Sequence, residues 1–60
     1  MVIDVHQLSK ELSLSESGIY QMVSQREILF VRIGRSIRFD LDDIDKWLVE
    51  KKSGYRKDLT

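Results

Sequence analysis

Three arginines, Arg32, Arg35 and Arg38, recur at intervals of three within the stretch Phe30 to Asp40, Phe-Val-Arg-Ile-Gly-Arg-Ser-Ile-Arg-Phe-Asp. A guanidinium carries a fixed fork of donors and a permanent charge, so a cluster of them is equipped to hold an anion. Val31, Ile33, Ile37 and Phe39 fall between the arginines at period two on either side of Gly34, the pattern of a β-hairpin. The stretch reads as two short strands around a turn at Gly34-Arg35-Ser36. A two-residue loop at Gly34-Arg35 would set Arg32 against Ile37 and mix the faces. A three-residue loop pairs Ile33 with Ile37 and Arg32 with Arg38, and this register is expected because it keeps one face apolar. It also opposes two arginines, which is unfavourable unless water, carboxylates or an outside anion screens them.

Other chemistry has little to draw on. The only histidine is His6, there is no cysteine, and no glycine-rich phosphate loop appears. Serine, histidine and aspartate are present, but nothing gathers them into a catalytic constellation. The expectation is a non-enzymatic chain with no catalytic residues, no metal, no cofactor and no small-molecule substrate, with His6 a solvated helix residue.

At 60 residues the chain makes one domain, near the lower limit for folding on a hydrophobic core alone. No apolar run approaches the ~20 residues that span a bilayer, and no basic-then-apolar leader opens the chain, so no membrane partner and a cytoplasmic location are expected. Ten basic residues balance ten acidic ones, so net charge gives no support to nucleic-acid binding. Distribution says more. Four arginines stand against Glu27 alone between Arg26 and Arg38, Asp40 to Glu50 is acidic, and Lys51, Lys52, Arg56 and Lys57 make the end basic again. Such blocks can also be no more than solvated faces.

The elements that position these residues follow from periodicity. Asp4 with Gln7 forms a capping-box pattern, and Val5, Leu8 and Leu12 then recur at helical spacing, predicting a first helix from about Val5 to Leu12. Ser13-Leu14 reads as a turn that drops Leu14 into the core, and Ser15 caps a second helix from Glu16 to about Gln25 with Ile19, Met22 and Val23 buried. Gly18 inside it costs about 1 kcal/mol relative to alanine, and either marks a close approach or is simply tolerated. Asp40, with Asp43 at the capping-box position, starts a third helix with an apolar stripe of Leu41, Ile44, Trp47 and Leu48; Trp47 is expected in the core. Ser53 to Thr60 shows no period and is expected frayed or ordered by a partner. A short helix, a tight turn and a second helix with a polar first half is the helix-turn-helix pattern. The expected fold is therefore small and mainly α with a β-hairpin, a winged helix-turn-helix over residues 1–50, followed by a basic tail over residues 51–60.

Together, Ser15-x-x-x-Ile19-Tyr20, Val31-Arg32-Ile33-Gly34-Arg35, Ile37-Arg38 and Ile44-x-x-Trp47-Leu48 resemble the small winged-helix DNA-binding domains of the excisionase type, related to the MerR-like regulators. The resemblance spans roughly Ile3 to Leu48. It implies a second helix in the major groove and a wing in the adjacent minor groove. It also implies an excisionase, which binds and bends attachment-site DNA and steers an integrase toward excision, or a small phage or transposon repressor, in a bacterial or phage cytoplasm. Where the family usually carries glycine in the first turn and the linker this chain has Ser13 and Arg26, and Leu29 replaces a common proline. Gln21 stands where a basic residue is frequent.

On this resemblance double-stranded DNA is the partner, with an integrase or recombinase and neighbouring copies of the chain as further ones. The recognition-helix candidates are Ser15, Glu16, Ser17, Gly18, Tyr20 and Gln21, of which Gln21 can bond adenine N6 and N7. Tyr20 can instead pack its ring against the hairpin. Arg32, Arg35, Ser36 and Arg38 are the wing candidates, with Arg35 at the tip suited to a narrow minor groove. Arg32 and Arg38 can instead pair with Asp40, Asp42 or Glu27. Arg26, Lys51, Lys52, Arg56 and Lys57 are candidate phosphate contacts. The rival from another class is a protein-interaction adaptor that uses the acidic third helix and the basic tail.

Overall fold

A computed structural model describes the backbone of residues 1–59 and the side chains of residues 1–52. Each helix in it begins at a short polar side chain. Asp4 Oδ1 accepts the Gln7 N–H at 2.8 Å while Gln7 Oε1 accepts the Asp4 N–H at 3.1 Å, a reciprocal capping box that opens α1 (Val5–Leu12). Ser15 Oγ accepts the Gly18 N–H at 3.0 Å and opens α2 (Glu16–Ser24). Asp40 Oδ1 accepts the Asp42 N–H at 3.0 Å and opens α3 (Leu41–Leu59). This last helix continues past the Lys51-Lys52 end suggested by the charge pattern. No proline interrupts it, so the hydrogen-bond ladder can propagate. The backbone of 53–59, expected frayed or ordered by a partner, is helical, while the phosphate contacts expected of Arg56 and Lys57 concern side chains outside the described residues.

Both helices of the pair stop in the same way. Ser13 takes φ 55 and Arg26 takes φ 57. Around Ser13, its N–H bonds the Lys10 carbonyl and the Leu14 N–H bonds the Ser9 carbonyl; around Arg26, its N–H bonds the Val23 carbonyl and the Glu27 N–H bonds the Met22 carbonyl. These are two Schellman motifs, each turning on a left-handed residue. They fall at the positions where the resemblance implies glycine, so the turns keep the glycine geometry with side chains that resist it. The first turn also corrects the expectation for Leu14. The bond to Ser9 folds the chain back on the end of α1, and Leu14 is left 46% exposed.

The wing is β2 (Val31–Ile33) and β3 (Ser36–Asp40), joined antiparallel, and a two-residue strand β1 (Val2–Ile3) pairs along the far side of β3 to give the order β1-β3-β2. β1 was not expected, since two residues carry no period. The register is also corrected. Arg32 lies opposite Ile37, Val31 opposite Arg38 and Ile33 opposite Ser36, with a two-residue loop at Gly34-Arg35. Gly34 at φ 62 followed by an Arg35 without positive φ is the pattern of a II′ turn, whose twist matches that of the strands. Backbone twist therefore outweighs the gain from a fully apolar face. Arg32 and Arg38 do not oppose each other, and the repulsion expected between them is absent. Ile37 and Phe39 still face the core, whereas Val31 and Ile33 face outward.

The core is Ile3, Val5, Leu8, Ile19, Val23, Ile28, Phe39 and Ile44, with Leu12, Met22, Phe30, Ile37, Leu41, Trp47 and Leu48 packed against it. Ile3 and Ile28 join it from a two-residue strand and an irregular linker, where no periodicity could announce them. Trp47 does lie on the core, and its Nε1–H donates to the Glu27 carbonyl at 2.9 Å, fastening α3 to the linker between α2 and the wing. The ring is only half-buried, with its apolar body on the core and its N–H on this carbonyl.

Two stability outcomes follow from the backbone. Ser13→Gly removes the left-handed cost of a Cβ and should stabilise the domain by about 0.5–1 kcal/mol after the extra chain entropy of glycine is subtracted. The urea midpoint should rise with m unchanged, and a lower midpoint would show the turn unstrained. At Gly34 a Cβ meets nothing within 4 Å, so only its φ of +62° opposes substitution. Gly34→Ala should cost about 1 kcal/mol, and an unchanged unfolding midpoint would refute the II′ assignment.

Candidate nucleic-acid interface

The recognition-helix candidates do not all remain available. Ser15 Oγ holds the Gly18 N–H and lies 3.4 Å from Ser17 Oγ, so its hydroxyl is occupied by capping. A Cβ at Gly18 would sit 3.1 Å from that same Oγ. The close approach at Gly18 is thus to the cap. Glu16 Oε2 lies 2.8 Å from His6 Nδ1, with the two side chains 49% and 62% exposed. His6 is exposed as expected but is also a tie between α1 and the start of α2. Ser17, Tyr20 and Gln21 are left on the surface of α2. With Ser24 they stand three and four residues apart and share one helix face. Ser24 was not among the sequence candidates, although its position seven residues after Ser17 could have marked it.

Tyr20, half exposed, stands between two grooves together with Ile37. One groove runs from His6 and Glu16 to the wing, where Arg35, Ser36 and Arg38 line it. Asp4 also borders it, so cationic and anionic groups share its walls. The second groove is lined by Tyr20, Val23, Ser24, Arg26, Phe30, Arg32 and Ile37, with two arginines and no acid. The structure thus places Arg26 and Arg32 together and Arg35 and Arg38 together, on either side of Tyr20. Arg38 gives part of its guanidinium to the Ile37 carbonyl at 2.9 Å. Arg32 and Arg35 are exposed. Within the described residues no ion pair joins any of these arginines to Asp40, Asp42 or Glu27.

Farther along, Lys51 Nζ lies 5.7 Å from the centroid of the Trp47 ring, within cation–π range, and Lys52 is exposed. Trp47 is itself bonded to Glu27, the neighbour of Arg26, so Lys51 belongs to the same end of the molecule as the linker. No cluster of metal-ligating side chains occurs among the described residues, and none of the described helices is long and apolar enough to cross a membrane.

A polar helix face flanked by two grooves with arginines in their walls fits a polyanion that carries readable base edges between its phosphates. Comparison with known proteins agrees. A family model described as a helix-turn-helix domain matches residues 2–52, from β1 into α3, while no curated protein and no solved structure matches. The chain belongs to the helix-turn-helix domain family, and its function is sequence-specific binding of DNA.

Proposed function

We propose that the domain reads DNA with α2 in the major groove and the β2–β3 wing in the neighbouring minor groove, and that it serves as an excisionase-type directionality factor, or a small repressor, of a phage or transposon. The observation that carries the DNA geometry is the division of labour around Tyr20. α2 offers Ser17, Tyr20, Gln21 and Ser24 and has no cation, and the arginines lie in the two grooves beside it. Ser17 and Gln21 read base edges. Arg26 and Arg32 receive the phosphates that pass along the second groove, and Arg35, with Ser36 and Arg38 behind it, enters the minor groove, where the potential is most negative.

Glu16, 2.8 Å from His6 Nδ1, lines the first groove together with Asp4, so the phosphates run along the second groove, whose lining has two arginines and no acid. Residues 1–50 form the binding unit, and the basic stretch 51–60 adds Lys51 and Lys52, with Arg56 and Lys57, as further phosphate contacts. The excisionase role draws on the motif resemblance. With no cation on α2, the domain binds singly with low affinity and gains strength from copies on adjacent sites or from an integrase bound beside it.

Affinity should fall steeply with salt. Arg35→Ala should weaken binding to a selected duplex about five- to tenfold at ~0.1 M salt and reduce the slope of log K against log salt by about one. Equal affinity in a fluorescence titration would remove Arg35 from the interface. Gln21→Ala should narrow the gap between the preferred duplex and single-base variants, costing about 1–3 kcal/mol of discrimination at one position. A uniform loss on every sequence would count against base reading by Gln21. An adjacent integrase gene, with excision lost when this chain is deleted, would separate the directionality factor from the repressor.

A further inference from the structure

We infer that Ile33 is an apolar contact of the wing that seats against the minor-groove wall beside Arg35 and props the duplex into a bend. The inference rests on the DNA-binding geometry proposed above and assigns a role to a residue outside its charged set. Ile33 is 61% exposed, more than any other large hydrophobic among the described residues except Met1. The register turns it outward: it pairs with Ser36 and stands immediately before the Gly34-Arg35 turn, on the face opposite Ile37 and Phe39. Val31, 39% exposed, continues the same face two residues back along β2.

An apolar side chain at the tip of a slender hairpin, next to an exposed arginine, has the composition of a minor-groove device. The arginine is drawn to the negative potential, while the aliphatic group meets sugar C–H edges or leans into a base step and opens it. A polar residue at position 33 would satisfy the strand equally well, since the site faces solvent. The continuity of Ile33 with Arg35 favours DNA as the occupant over a second copy of the chain. Self-pairing along the free edge of β2 centred on Arg32 would set two arginines opposite each other.

The test uses the full chain and a duplex of about 30 base pairs selected by the wild type from a random pool, with dyes at both ends so that energy transfer reports bending. Ile33→Ala should reduce the bend and lower affinity about five- to tenfold, with the salt slope unchanged because no charge is lost. Ile33→Met should restore both, and the urea midpoints of all three proteins should agree. Wild-type bend and affinity in Ile33→Ala, on a duplex that Arg35→Ala still binds weakly, would overturn the wedge alone. A wild type that selects no duplex would overturn the DNA geometry and the wedge together. A sedimentation change from dimer to monomer in free Ile33→Ala, with the bend intact, would overturn the wedge in favour of self-docking.

Discussion

The positive φ of Gly34 lets the chain reverse within two residues, and the register this imposes decides which side chains of the wing are left for a ligand. Every residue of β2 and β3 inherits its face from that turn, because side chains alternate strictly along a strand. Phe39 and Ile37 fall on the side that closes the core, and β3 lies in the middle of the sheet, so the same turn also sets how the wing meets α1 and α3. A turn one residue longer would send Ile33 toward Ile37 and leave the tip without an apolar group. The mixed faces are therefore the consequence of a backbone preference, and they give the wing a tip in which Ile33 and Arg35 are both exposed.

The helices reach their positions through ends more than through middles. Three side-chain caps start them, and two left-handed residues, Ser13 and Arg26, stop the first two. The second of these stops sends Ile28 into the core and presents the Glu27 carbonyl to Trp47. In so small a domain each such contact is a sizeable fraction of the net stability. The strain at Ser13 and Arg26 is tolerated because the Schellman bonds around them satisfy carbonyls that a frayed helix would leave to water.

Electrostatics in this domain is a matter of placement. A neutral chain presents arginine-bearing walls on both sides of α2 because half of its acidic residues lie in α3 and the lining of the second groove has none, while Glu16 of α2 is paired with His6. Exposed pairs of this kind contribute little to stability.

Much of the fold was legible in the sequence. Asp4, Ser15 and Asp40 announced the helix starts, the stripes of Leu8, Ile19 and Ile44 named the buried faces, and the alternation around Gly34 named the hairpin, because local chemistry and period suffice for these. The functional class came from the resemblance of the α2, wing and α3 motifs to small winged-helix DNA-binding domains. What only the tertiary structure decided was contact between segments distant in sequence: the inclusion of Ile28 and Ile3 in the core, the tie of His6 to Glu16, the grouping of the arginines around Tyr20, and the outward turn of Val31 and Ile33. The sequence pattern weighed an apolar face against a short loop and chose the face. The backbone chose the loop, because turn geometry is set by torsions at one glycine while the apolar residues it strands at the surface each lose only a modest burial energy.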